Sequence, residues 1–191
     1  MTSKIVFCGG GPMAEGILGG LINHQVTDTG NITVNELLES RRHYLSETYH
    51  VSAVEHAEEA VKQADLVIIA VNPAQVPSVT RTIRPVLRKE TLVLSIACGV
   101  TLGALEDQLG TDQKILRVMP NTLIKSGNGY SAACINRNIA ETDKVLIEAV
   151  LDALGQTMYV SENMFETFTA FCCTGPIWFY KTVEALIDAG V

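Results

Sequence analysis

Residues Lys4 to Gly16 read KIVFCGGGPMAEG, an apolar run that breaks into three consecutive glycines. Gly9, Gly11 and Ala14 satisfy the pattern G-x-G-x-x-G/A. At that spacing a tight turn brings a pyrophosphate to backbone amides and to the positive end of the following helix. Gly10 fills the free position of the pattern and is expected to make no special contact. Pro12 falls where the first helical residue belongs, a place that suits proline, and it removes one amide that could have faced the phosphate. A second apolar run ends in Thr33-Val34-Asn35-Glu36. An acidic side chain at that point can accept hydrogen bonds from both ribose hydroxyls and repels a 2′-phosphate. Arg41 and Arg42 follow closely and could instead pair with such a phosphate, so the residues leave NADH and NADPH open.

A glycine turn alone is weak evidence for a nucleotide site; its neighbours decide the matter. Strand-like runs cover Lys4–Cys8, Asn31–Asn35, Val51–Val54, Asp65–Val71, Thr91–Ala97 and Lys114–Met119. Helical patterns cover Pro12–His24, Leu37–Tyr49 and Ala57–Gln63 between the earlier ones. DLVIIAV and TLVLSIA are apolar throughout, as strands covered on both faces must be. Such alternation implies right-handed crossovers and an α/β fold with a doubly wound, Rossmann-type, mainly parallel sheet. Beyond it come a strand at Tyr130–Ile135, a helix at Glu141–Leu154 and a short strand at Thr157–Val160. From Asn163 the pattern is helical, with a break at Thr174-Gly175-Pro176. The expected organisation is a dinucleotide-binding domain over 1–162 and the first helices of an all-α domain over 163–191.

The totals narrow the partners. Fourteen basic against twenty-one acidic residues give a net charge of −7, which argues against a nucleic-acid surface, where Lys and Arg cluster. No apolar run reaches the roughly 18 residues of a membrane span, and the short first run is not that of a signal peptide. Cys8, Cys98, Cys134, Cys172 and Cys173 are odd in number and lack zinc-site spacing, so reduced thiols in a cytoplasmic protein are expected. His24, His43, His50 and His56 read as surface residues.

Four further segments carry a resemblance: VNPAQ from Val71, SIACGVT from Ser95, RVMPNT from Arg117, and Thr174-Gly175-Pro176 with EALIDAGV from Glu184. Together with GGGPMAEG, and in the same order, they make the whole chain resemble the pyrroline-5-carboxylate reductase family. The resemblance implies NADPH- or NADH-dependent reduction of a cyclic imino acid, 1-pyrroline-5-carboxylate, to proline. It implies that Gly9, Gly11, Pro12, Met13 and Ala14 line the pyrophosphate and that Asn35 and Glu36 lie near the adenosine ribose. Val71, Asn72 and Pro73, with Ala97, Cys98 and Gly99, would flank the ribose and nicotinamide. Met119, Pro120 and Asn121 would border the substrate, Asn121 being the catalytic candidate, with a turn-capping role as its alternative.

The chain also departs from the family. Leu123 stands where MPNTP has proline, and Cys172-Cys173-Thr174-Gly175-Pro176-Ile177-Trp178 replaces a glycine- and serine-rich segment. Family members continue into further helices that close the substrate site and build the homo-oligomer. The resemblance therefore leads us to expect cofactor binding with weak imine reduction, and Phe165, Phe168, Phe171, Ile177, Trp178 and Phe179 without their usual cover. Two other readings stand beside this one. One is a related β-hydroxyacid-dehydrogenase-like reductase, whose lysine would have to be Lys181. The other is a non-catalytic nucleotide-binding or interaction module.

Overall fold

The computed structural model describes residues 2–126 and 128–190. Eight strands form one sheet: β1 (Ile5–Cys8), β2 (Ile32–Asn35), β3 (Ser52–Val54), β4 (Leu66–Ile69), β5 (Leu92–Ser95), β6 (Lys114–Met119), β7 (Tyr130–Ile135) and β8 (Gln156–Tyr159). Their order is β3-β2-β1-β4-β5-β6-β7-β8. Every pairing is parallel except β6 with β7, where Leu116 faces Ile135 and Met119 faces Ala132. The expected α/β, doubly wound, mainly parallel sheet is thus present.

The central strands are apolar at every position because successive side chains enter different cores. Ile5 and Phe7 of β1 join Leu66 and Ile68 of β4 and Leu92 and Leu94 of β5 on one face. Helices α1 (Pro12–Asn23), α2 (Glu39–Tyr49) and α6 (Lys144–Asp152) cover that face through Ile17, Leu18, Leu21, Leu45, Ile147 and Val150. Val6 and Cys8, Val67 and Ile69, and Val93 point the other way. They meet α3 (Glu58–Val61), α4 (Val76–Ile83) and α5 (Leu102–Leu109). Because β1 lies between β2 and β4, the connections leaving β1 and β4 pass to opposite faces. A crevice opens between their carboxyl ends, where ligands bind in such sheets.

The sequence pattern does not show α4 or α5. Pro77 sits in the first turn, where proline is tolerated, but Val76–Ile83 is rich in β-branched residues, so propensity disfavours a helix. Packing of Val76, Thr80 and Ile83 against the sheet overrides it. In α5 the Thr101 hydroxyl caps the first turn, accepting from the Ala104 amide at 3.1 Å.

After β8 the chain is helical: α7 (Phe165–Phe168), a π-type turn (Thr169–Cys173) and α8 (Gly175–Asp188). Phe165 and Phe168 are not left uncovered as expected. They are 1% and 7% exposed, packed on Met119, Ala132 and Cys134. No residue of α8 is buried, and Phe171, Ile177, Trp178 and Phe179 are more than half exposed, as expected. No helix among the described residues is long and apolar enough to cross a membrane.

Candidate functional site

The crevice is a cleft of about 940 Å³. It runs from Glu36 and Glu55 at one end, past the glycines, to Cys98, Met119 and Pro120 at the other. Of the residues expected to hold a dinucleotide, Gly9, Gly11, Pro12, Met13, Asn35, Glu36, Val71, Asn72, Pro73, Ala97 and Cys98 line it. Ala14 lies beneath, 2% exposed in the core. Gly99 follows at a positive φ of 75° just outside the lining.

The three glycines do different work. Gly9 sits at φ 104°, and a Cβ there would come within 2.6 Å of the Ala70 carbonyl oxygen and 2.8 Å of the Val71 side chain. It lets β1 turn across the end of β4. Gly10, expected to be incidental, is buried: a Cβ would lie 2.7 Å from Leu45 Cδ1 and 3.2 Å from Glu36. Its amide donates to Glu36 Oε2 at 3.2 Å and its carbonyl accepts from Arg41 Nε at 2.8 Å. These contacts come from residues more than twenty positions away, which a local motif cannot show. Gly11 has an ordinary φ of −69°, and beyond its chain neighbours no atom of the described residues lies within 4 Å of its Cβ position.

That open space lies at the N-cap of the twelve-residue α1, whose Gly11 offers no side-chain cap. The first helical amides, Pro12 excepted, therefore remain for an external anion, and the helix dipole favours one there. The cradle fits a pyrophosphate held by the amides of Met13 and Ala14.

The loop is braced from behind. Glu15 accepts from Arg41 Nη2 at 2.5 Å, Tyr44 at 2.8 Å and Tyr49 at 2.9 Å. Burial pushes the Glu15 carboxyl up, but those three donors together outweigh it and hold the group below its ordinary value. Burial, and then the bond to Glu15, push Tyr49 up to about 12. The Cys8 thiol under the loop is raised to about 12 by burial, with Glu58 adding to it, so it stays protonated.

At the far end, Ile96, Ala97, Cys98, Met119 and Pro120 make a largely apolar wall. Cys98 is exposed, unlike the buried Cys8 and Cys134. Asn121, the catalytic candidate, does not line the cleft. Its Oδ1 accepts from the amides of Leu123 and Tyr130, both at 3.2 Å, which is the turn-capping role. Asn35 is likewise tied to structure, its Nδ2 donating to the Glu55 carbonyl at 2.7 Å. His56, read as a remote surface residue, is exposed but lines the cleft because β3 ends beside β2. Lys181 is exposed on α8 and pairs with Glu184 at 2.5 Å, so among the described residues the hydroxyacid-dehydrogenase reading finds no lysine lining the cleft.

The sequence reading also missed Arg117. It is 4% exposed in β6, pairs with Glu162 at 2.8 Å and lies 4.3 Å from the Phe165 ring centroid. Glu162 Oε1 also accepts from the Leu102 amide at 2.6 Å. The pair ties the start of the helical segment to β6 and α5.

Residues 4–99 match the family model described as NADP oxidoreductase coenzyme F420-dependent. The chain is 30% identical over 188 residues to a pyrroline-5-carboxylate reductase of Arabidopsis thaliana, covering 98% of this chain and 68% of that protein. A solved pyrroline-5-carboxylate reductase from Coxiella burnetii superposes with a TM-score of 0.92 at 32% identity, over 100% of this chain and 71% of that one. The Plasmodium falciparum enzyme, solved with NADP bound, does so at 0.86 and 29% identity, over 98% and 69%. The chain spans about two thirds of the length of the curated relatives it matches.

Proposed function

Since the chain belongs to the pyrroline-5-carboxylate reductase family, we propose that it carries the cofactor half of an NAD(P)H-dependent reductase of 1-pyrroline-5-carboxylate. The observation that carries the reading is the unfilled space beside Gly11, at an uncapped helix N-terminus in the crevice between β1 and β4. A nicotinamide dinucleotide held there would supply the hydride for the imine carbon, with the imine nitrogen taking a proton from solvent to give proline. Met13 and Ala14 offer amides to the pyrophosphate, and Glu36 faces the adenosine ribose. Val71, Asn72, Pro73, Ala97 and Cys98 flank the other ribose and the nicotinamide, with Gly99 following. Met119 and Pro120, lining that end of the cleft, would shield one side of the nicotinamide and imine rings from water. Asn121 acts through the turn it caps, fixing Pro120.

The division we propose is a dinucleotide domain over 1–162 and the beginning of a helical domain from 163, supported by the sheet ending at Tyr159. The exposed apolar face of α8 supports self-association through helices, as in the family, because large apolar surfaces drive association. A reducing, cytoplasmic setting accords with free Cys8 and Cys134 inside the sheet.

The protein carrying this chain is expected to oxidise reduced nicotinamide with pyrroline-5-carboxylate and to form proline in equal amount. Oxidation with a β-keto acid and none with the imine would overturn the substrate assignment.

A further inference from the structure

We propose that the adenosine end of the cleft selects the dinucleotide with a free 2′-hydroxyl, NADH over NADPH, and that Glu36 is the discriminating residue. The inference rests on the dinucleotide reading above and adds to it a choice that the residue types alone leave open.

The first observation is the charge of the lining. Glu36, Glu55 and Glu58 face that end of the cleft, and among the described residues neither a lysine nor an arginine lines it anywhere. His56 is the one basic group there, and it is exposed. A 2′-phosphate, close to dianionic at neutral pH, would meet carboxylates in that lining and, among the described residues, no lysine or arginine side chain that reaches it.

The second observation is what the two candidate cations do instead. Arg41 donates through Nε to the Gly10 carbonyl at 2.8 Å and through Nη2 to Glu15 at 2.5 Å, with its guanidinium over the Tyr44 ring. Arg42 donates through Nη1 to the carbonyls of Glu36 and Leu37, at 2.8 and 2.7 Å, and pairs with Glu55 at 3.3 Å. Both are spent on bracing the loop and the end of β2. Turning either toward a phosphate would leave carbonyls and carboxylates without those donors.

The third observation is that Glu36 is held in place. Its Oε2 accepts from the Gly10 amide at 3.2 Å and its Oε1 from the Leu38 amide at 3.0 Å. A carboxylate has about four acceptor positions, so each oxygen can still take a ribose hydroxyl. The carboxylate is therefore fixed before ligand arrives, as selective recognition requires. Against NADPH the same fixed charge cannot swing away.

Calorimetric titration of the protein with NADH, NADPH, ADP and 2′-phospho-ADP, at low and at raised salt, tests this. NADH is expected to bind at least about tenfold tighter than NADPH, the size of one like-charge contact near a protein surface. The same order is expected for the two adenosine fragments. The ratio should shrink at raised salt, because repulsion between solvent-accessible charges is screened, and it should shrink severalfold in Glu36→Gln. Equal binding, or tighter NADPH, overturns the inference and leaves the dinucleotide site standing. No binding of any of the four overturns both. Equal weakening toward all ligands in Glu36→Gln would make Glu36 a loop anchor and overturn its discriminating role. If that variant does not fold, a wild-type ratio that ignores salt overturns the same claim.

Discussion

The glycine end of the sheet and the terminal helix are both rich in apolar residues, yet they are used in opposite ways. At the first, Ile5, Val6, Phe7 and Cys8 are 0–2% exposed and the turn after them is pinned by contacts from α2 and from the residues that follow β2 and β4. At the second, Trp178, Phe179, Tyr180 and Ile187 are 54–68% exposed, and α8 is held to the rest through its connection at Thr169–Cys173. One region has its stability and its chemistry in the same few residues. The other presents surface. Aromatic content alone does not separate them; the strand period and the sheet around β1 do.

Truncation at matched rings should expose that difference most strongly. Phe7→Ala is expected to destabilise by about 3–5 kcal/mol, as for a fully buried aromatic. Phe179→Ala should change chain stability by no more than about 0.5 kcal/mol. Urea midpoints measured on both variants check this, and equal losses would erase the distinction.

The comparison sharpens inside the turn. Gly9→Ala combines a positive φ with a backbone clash and should lose about 3 kcal/mol of stability. Gly11→Ala meets open space at an ordinary φ, so its urea midpoint should stay near that of the wild type while dinucleotide affinity falls about tenfold or more. If Gly11→Ala kept full affinity, the space beside it would not be the phosphate cradle.

A smaller effect tests the brace. The carboxyl of Glu15 is held below its ordinary value, so its contribution is fully present above the unfolded carboxylate range and is lost as pH falls through the lower folded value. Glu15→Gln should cost about 1–2 kcal/mol at neutral pH and flatten that part of the acid limb of the stability profile. An unchanged limb would show that the three donors do not depend on the charge.

The smallest perturbation is chemical. Alkylation under native conditions should reach the exposed Cys98 and spare Cys8 and Cys134. Bound dinucleotide should slow labelling of Cys98, read by peptide mass analysis.

Much of this was legible from the sequence, and the rest was hidden for identifiable reasons. Periodicity reveals all eight strands, because LVII and IVFC are buried on both faces and no helix pattern competes. It misses α4, where β-branched residues speak against a helix that packing on the sheet stabilises. The motif locates Gly9 and Gly11 but assigns them one role, whereas the structure separates a steric requirement from an open cradle. Gly10, Arg41 and Arg117 escape a local reading because their partners lie 26 to 45 residues away in sequence. Asn121 draws attention through its motif, yet it serves the turn.

The most direct test of the account is amide chemical-shift mapping on the nitrogen-15-labelled protein during titration with NADH. Saturable shifts are expected at Gly9, Gly11 and Met13, at Glu36, at Val71 and Asn72, and at Ala97 and Cys98, with α8 unmoved. Shifts centred on α8, with the glycine turn silent, would contradict the account.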